Sequence, residues 1–245
     1  MIDLGQQPFV CVSIACDTEG SLCSLLQKAV EQHAGMAEIR LDYLANPHEI
    51  DLKALCRNAP LPLLFTNRAS FEGGHFRGVE EERIALLLSA IEAGAACVDV
   101  ELATAQHLLR LVQTKARAHG CTFIVSHHDF TQTPDINSLH RLLLEMEMTA
   151  ADILKLITTA KNADDVKRLL SLYEWRYNRT NPPVEADKTI QNHLIAFCMG
   201  ERGRMSRLCA MTLGAPFTYA ALESGQETAS GQLSVSEVGR FLDYW

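Results

Sequence analysis

Nowhere in the 245 residues do about 18 consecutive apolar residues occur, so no candidate for a membrane-spanning helix is present. Met1 to Gln7 lack a basic stretch followed by an apolar one, which argues against a secretory signal and makes the cytoplasm the expected location. A block of lysines or arginines is missing as well. With 22 basic against 30 acidic residues the formal charge is -8, the wrong sign for a nucleic-acid surface. An anionic small molecule must then be met by a few individually placed arginines. None of the eight cysteines forms a C-x-x-C pair, and runs such as Phe9-Val10-Cys11-Val12 present them as reduced core residues. His127, His128 and Asp129 are adjacent, but successive strand residues point apart and no second cluster has ligand spacing, so no metal is expected. Neither G-x-G-x-x-G nor G-x-x-x-x-G-K-[ST] follows the first apolar run, which weighs against a doubly wound nucleotide-binding sheet.

What the chain does contain is 47% hydrophobic residues in a repeating order. Short apolar runs predict strands at Phe9 to Ile14, Ala37 to Leu41, Leu63 to Thr66, Cys97 to Glu101, Thr122 to His127, Ile153 to Thr158, Leu194 to Met199 and Phe217 to Ala221. Segments of helical period lie between them. In Glu80 to Ala93 the residues Ile84, Leu87, Leu88 and Ile91 recur at helical spacing, and in Ile136 to Met148 so do Leu139, Leu142, Leu143 and Met146. Eight such units in a chain of this length predict an α/β fold, a (β/α)8 TIM barrel in one domain over residues 1–245. Asn178 to Asp187, with Asn181-Pro182-Pro183, reads as a loop before the seventh strand.

Barrel enzymes build their sites at the C-terminal ends of the strands, and here those ends are charged. Glu38, Arg40 and Asp42 close the second strand, Arg68 follows the third, Asp99 and Glu101 end the fourth, and Ser126 to Asp129 end the fifth. Lys155, between Ile153-Leu154 and Leu156-Ile157 in the sixth, is the sharpest feature, an ammonium at the end of an otherwise apolar strand. An unprotonated amine there is a nucleophile for a carbonyl; the bland alternative is a lysine paired with an inward carboxylate such as Glu101. Period-2 alternation puts Ser126 and His128 on one face of the fifth strand and His127 on the other, which makes His128 the partner able to reach Lys155. Glu72, in the turn Phe71-Glu72-Gly73-Gly74, is placed to orient an imidazole; alone it reads as a solvated loop acid. Met199 to Arg207 carries glycines and three arginines, fit for an anion or for a plain surface turn, and Thr228 to Gln232 suits a lid or a mere connector.

These motifs, in this order, resemble type I 3-dehydroquinate dehydratases along essentially the whole chain: Glu38-x-Arg40-x-Asp42, Thr66-x-Arg68-x-x-x-Glu72-Gly73-Gly74, Ser126-x-His128-Asp129-Phe130, Lys155 after Ala151-Asp152-Ile153, Met199-Gly200-x-x-Gly203-x-x-Ser206-Arg207 and Gly231-Gln232. The resemblance implies a cytoplasmic, cofactor-free lyase of the shikimate pathway, usually a homodimer, that takes 3-dehydroquinate to 3-dehydroshikimate through a Schiff base. It implies that Lys155 forms the imine, that His128 moves the protons and that Glu72 orients His128. Arg207 would bind the substrate carboxylate, while Ser13, Glu38, Arg40, Arg68, Thr228 and Gln232 complete the substrate site. The segment Thr228-Ala229-Ser230-Gly231-Gln232 departs from the family's frequent Ser-Ala-Pro-Gly-Gln: a hydroxyl is kept and the stiffening proline is absent. A serine also often follows the glycine where this chain has Gly214-Ala215. A Schiff-base aldolase and a catalytically silent ligand-binding barrel share the buried lysine or the fold and are the alternatives. The aldolase would not require the set of Arg40, Arg68 and Arg207, and the silent barrel would bind the substrate without a covalent adduct that borohydride can trap.

Overall fold

The computed structural model describes residues 8–180 and 192–243. The eight apolar runs form β1 (Phe9–Ile14), β2 (Met36–Arg40), β3 (Leu63–Thr66), β4 (Cys97–Glu101), β5 (Thr122–His128), β6 (Ile153–Thr159), β7 (His193–Met199) and β8 (Phe217–Ala221). A short β9 (Leu233–Ser234), too brief to leave a period in the sequence, pairs with β8. Helices α1 (Glu19–Glu31), α2 (Leu52–Asn58), α3 (Glu80–Ala93), α4 (Gln106–His119), α5 (Ile136–Glu147), α6 (Ala163–Thr180), α7 (Ser206–Thr212) and α8 (Val235–Leu242) connect or follow the strands.

All strand pairs are parallel, in the order β7-β6-β5-β4-β3-β2-β1-β8-β9. A flat sheet of this order would hold β6 and β8 six strands apart, roughly 29 Å at 4.8 Å per strand. Instead Lys155 Nζ on β6 lies 4.1 Å from the ring centroid of Tyr219 on β8. The sheet is therefore curled into a barrel, and the open doubly wound alternative fails. Among the described residues β7 and β8 share no ladder. Their following loops are joined by Gly200 N donating to Ser230 O at 3.1 Å and Arg207 Nε to Gly231 O at 3.1 Å.

Strands of a parallel barrel are covered on both sides, which is why β2, β3, β4 and β8 are buried at every residue. The outer cover is amphipathic: α3 buries Ile84, Leu87, Ala90 and Ile91, and α5 buries Leu139, Leu143 and Met146. Differences from the sequence reading are local. Leu41 opens a 3-10 turn over Leu41–Tyr43 rather than closing β2, and Asn178, Arg179 and Thr180 extend α6; Asn181-Pro182-Pro183 lies outside the described residues. Cys11, Cys97, Cys121 and Cys198 are buried as expected, but Cys23 in α1 and Cys209 in α7 are exposed.

Candidate active site

One cavity opens at the C-terminal mouth of the barrel, and every one of Ser13, Glu38, Arg40, Arg68, Glu72, His128, Lys155, Arg207, Thr228 and Gln232 lines it. Alternation along the strands explains the convergence of those that lie on strands. Asp99 and Glu101 share the inner face of β4, Glu38 and Arg40 that of β2, and the register sets Ser13 beside Glu38, Thr66 beside Asp99 and Ser126 beside Lys155.

Lys155 is the third of seven residues in β6, inside the barrel rather than at the strand end, and is 5% exposed. Its surroundings are less apolar than the run Ile153 to Ile157 suggests. Nζ donates to Asp99 Oδ2 at 2.9 Å and rests on the face of Tyr219, so the carboxylate that meets it is Asp99 and not Glu101. Asp99 is shared: Arg68 NH2 reaches its Oδ1 at 2.8 Å, and Ser126 Oγ donates there at 2.6 Å. Burial alone would raise the Asp99 pKa, but Arg68 and Lys155 outweigh it and hold the carboxyl well below the usual range. Sequence reasoning noted Asp99 as a charged strand end without pairing it. Tyr219, Phe197 and Met199 also line the cavity, and an aromatic or Met in a buried strand carries no signal that sets it apart from core.

His128 and Glu72 form the second group. Nδ1 of His128 lies 2.8 Å from Glu72 Oε2, which also accepts the His128 backbone N–H at 3.1 Å. With the ring proton on Nδ1 donated to Glu72, Nε2 keeps its lone pair. Glu72 is not a solvated loop acid: the 3-10 turn Ser70–Glu72 folds it inward to 5% exposure, because the chain reverses at Gly73 with φ of 74°. Burial pushes its carboxyl up to about 8, helped by Glu101 and Asp99 and opposed by Arg68. Burial pushes the His128 imidazole down, and Arg68 and Lys155 push it further. The result is an imidazole kept neutral and able to accept a proton.

A carboxyl whose pKa is higher in the fold than in the unfolded chain stabilises the fold at low pH, and that stability drains as pH rises through the folded value, here about 8. His128 acts in the opposite sense and below about 6.5, where an unfolded imidazole takes up a proton that the buried one resists. Between pH 6.5 and 8 the Glu72 contribution stands alone within this pair. The unfolding free energy measured in urea is expected to fall by about 2 kcal/mol across that window, and Glu72→Gln to flatten the slope. A wild-type profile that is already flat contradicts a protonated Glu72.

Arg207, in α7, is the third element. It is 2% exposed, stacks on Phe197 at 4.3 Å and donates Nε to Gly231 O, while its buried NH2 has no hydrogen-bond partner among the described residues. Burial without a nearby carboxylate pulls its pKa down to about 9. A buried guanidinium in that condition is a receptor for an anion. Two glycines bring it into place. A Cβ at Gly203 would stand 2.5 Å from Cys198 O, and one at Gly231, where φ is 72°, 2.4 Å from Gly200 O. Only bare backbone lets the loop after β7 and the Thr228 to Gln232 segment approach so closely.

The remaining predicted residues are tied into networks. Arg40 grips Asp42 with Nε and NH2 at 2.9 and 2.7 Å, and Glu38 accepts from Ser13 and from Thr66 at 2.7 Å. Thr228 donates its N–H at 2.8 Å and its hydroxyl at 3.2 Å to Gln232 Oε1, so the segment read as a lid closes on itself beside the cavity. Among the described residues no group of three or more His, Cys, Asp or Glu is arranged to hold a metal ion.

A family profile described as Type I 3-dehydroquinase matches residues 10–245. The chain is 39% identical over 212 residues to the 3-dehydroquinate dehydratase of Desulfotalea psychrophila, covering 86% of this chain and 88% of that protein. It is 34% identical over 233 residues to the 3-dehydroquinate dehydratase of Methanothermobacter thermautotrophicus, 95% of each. Among solved structures, the type I 3-dehydroquinate dehydratase of Clostridium difficile with covalent modified comenic acid superposes with a TM-score of 0.84 at 26% identity, over 98% of this chain and 92% of that one.

Proposed function

The chain belongs to the type I 3-dehydroquinase family, and from that premise we propose that it converts 3-dehydroquinate to 3-dehydroshikimate, a step of the shikimate pathway, through an imine on Lys155. The observation that supports this best is the meeting, in one cavity, of a buried amine, an imidazole kept neutral and an arginine without a carboxylate. In the proposed sequence Lys155 adds to the ring ketone and one water leaves, giving a protonated imine. The imine draws electrons from the adjacent carbon, and His128 Nε2 removes a proton there. The enamine expels the neighbouring hydroxyl, which departs with the proton held on His128. A second water then hydrolyses the imine and frees Lys155. Glu72 keeps the imidazole turned with Nε2 available, Arg207 takes the ring carboxylate, and Ser13, Glu38, Arg40, Arg68, Thr228 and Gln232 surround the ring and its hydroxyls. No metal or organic cofactor enters this chemistry, since the imine is itself the electron sink.

We further propose that residues 1–245 form one catalytic domain, because a single buried cluster runs from Val10 to Val238, and that the protein works as a cytoplasmic homodimer as the family resemblance implies. Among the described residues no helix is long and apolar enough to cross a membrane.

Borohydride added with 3-dehydroquinate is expected to add the mass of the reduced ligand to the peptide containing Lys155. Labelling of a different lysine, or none in an active preparation, overturns the imine assignment. Arg207→Met supplies a second test, with opposite effects on fold and function. Removing an uncompensated buried charge is expected to raise the stability of the unliganded protein by roughly 1–4 kcal/mol. It also raises KM at least 30-fold, since a buried pair with the carboxylate contributes about 2–5 kcal/mol. Unchanged KM removes Arg207 from carboxylate binding.

A further inference from the structure

Arg83 is an arginine that the proposed reaction leaves unused. It lies on the inner side of α3, its side chain is fully buried, and it does not line the cavity. Its guanidinium is nonetheless completely engaged. Nε and NH2 donate to Glu80 at 2.8 and 2.7 Å, NH2 also donates to Thr104 Oγ1 at 2.8 Å, NH1 donates to Asn67 O at 2.8 Å, and NH1 is in ion-pair contact with Glu101 Oε2 at 2.5 Å. The Asn67 side chain returns a bond from Nδ2 to Arg83 O at 3.3 Å. Arg83 thus clamps both the backbone before Arg68 and the carboxylate that Arg68 binds.

The network continues inward without a gap. Glu101 Oε1 accepts from Arg68 NH1 at 2.9 Å and from Ala69 N at 3.0 Å; Arg68 NH2 pairs with Asp99 at 2.8 Å; Asp99 Oδ2 accepts from Lys155 at 2.9 Å. Charges alternate along this row from the partly exposed Glu80 through Arg83, Glu101, Arg68 and Asp99 to Lys155. Asp99 is divided between Arg68 and the amine, and that division lasts only while the Arg83 cation stands against Glu101 Oε2, which has an ion-pair contact there but no hydrogen bond among the described residues.

We infer that Arg83 is a positioning residue for Lys155, acting through Glu101 and Arg68 to keep Asp99 shared between two cations. Without Arg83, Glu101 becomes a buried carboxylate with a single cation and draws Arg68 onto itself. Asp99 is then left to Lys155 alone and holds it as an ammonium, the form that cannot attack a ketone. The other groups around the amine stay as they are: His128 on β5, Cys11 on β1 and the Tyr219 ring on β8. Lysine at position 83 keeps the charge but not the planar fork that reaches Glu80, Thr104, Asn67 and Glu101 together.

This inference rests on Lys155 being the imine former, and the experiment separates the two. Wild-type, Arg83→Met, Arg83→Lys and Glu80→Gln proteins are compared for kcat, KM and the pH dependence of borohydride-trapped adduct from 3-dehydroquinate, each normalised to folded protein by circular dichroism. Arg83→Met is expected to lose at least tenfold in kcat with KM within about threefold, and to need a higher pH for half-maximal trapping. Arg83→Lys should recover only part of the loss. Glu80→Gln, at the exposed end of the row, is the milder probe if Arg83→Met does not fold, and should shift the trapping profile in the same direction by a smaller amount. A trapping profile in these folded variants that coincides with wild type overturns the positioning role and leaves a structural one. Absence of a Lys155 adduct in the wild type instead overturns the imine reading itself.

Discussion

Replacing Lys155 with Ala lowers kcat by about 10,000-fold or more while 3-dehydroquinate still binds. The size follows from what the amine does: without an imine the ring carbon next to the ketone has no cationic electron sink, and His128 faces a far weaker carbon acid. Removal of a nucleophile from a machinery that acts as a unit typically costs about as much as removing the whole unit, on the order of 10,000-fold to a million-fold. Binding survives because Arg207 and the network of Glu38, Arg40 and Arg68 remain around the cavity. Calorimetry of the variant with substrate, beside single-turnover rates, reads the two quantities separately. Lys155→Met, which keeps the stem's volume above Tyr219, guards against a loss due to collapse of the cavity floor. Residual turnover above a hundredth of wild type removes the amine from the chemistry.

His128→Ala is expected to lower kcat by about 100- to 10,000-fold, the range for a positioned general acid-base group, yet to leave the imine trappable by borohydride. The two observations belong together. Carbon deprotonation and departure of the hydroxyl depend on His128 Nε2, whereas attack by Lys155 on the ketone can use water for its proton transfers, more slowly. Mass added at Lys155 in an enzyme that no longer turns over is therefore the signature of this division of labour. Glu72→Gln should give a smaller loss in the same direction, because the amide oxygen can still accept from His128 Nδ1 and, below about pH 8, replaces a carboxyl that is itself uncharged. If kcat of His128→Ala stays within about threefold of wild type, the base is another group.

Of the ten named residues that line one cavity, Ser13, Glu38, Arg40, His128 and Lys155 lie on strands, where a period of two sends every second side chain to the barrel axis, while Arg68, Glu72, Arg207, Thr228 and Gln232 come from the segments that follow the strands and were legible only through the order of the motifs. Glu72 was harder to place. A turn bearing two glycines reads as exposed, and only the packing of Ser70–Glu72 beneath His128 turns the carboxyl inward. The partner of Lys155 was hidden for a similar reason: Asp99 and Glu101 share a face of β4, and their assignment to Lys155 or Arg68 depends on how far the sheet curls. Arg83 left no signal, since an arginine in the first turns of a helix after three glutamates looks like a solvated surface pair.

By itself the sequence determined the alternation of strands and helices, the inward set of charges and the absence of any block of charge or apolarity that would suit another class of protein. Those properties are local, being set by periods of two and of about 3.6 residues. The tertiary structure decided which charge meets which. Pairing across β4, β6 and β8 depends on curvature accumulated over the whole sheet, and in an interior with little water the pairing makes Lys155 a member of a row of ions rather than a lone cation in an apolar strand.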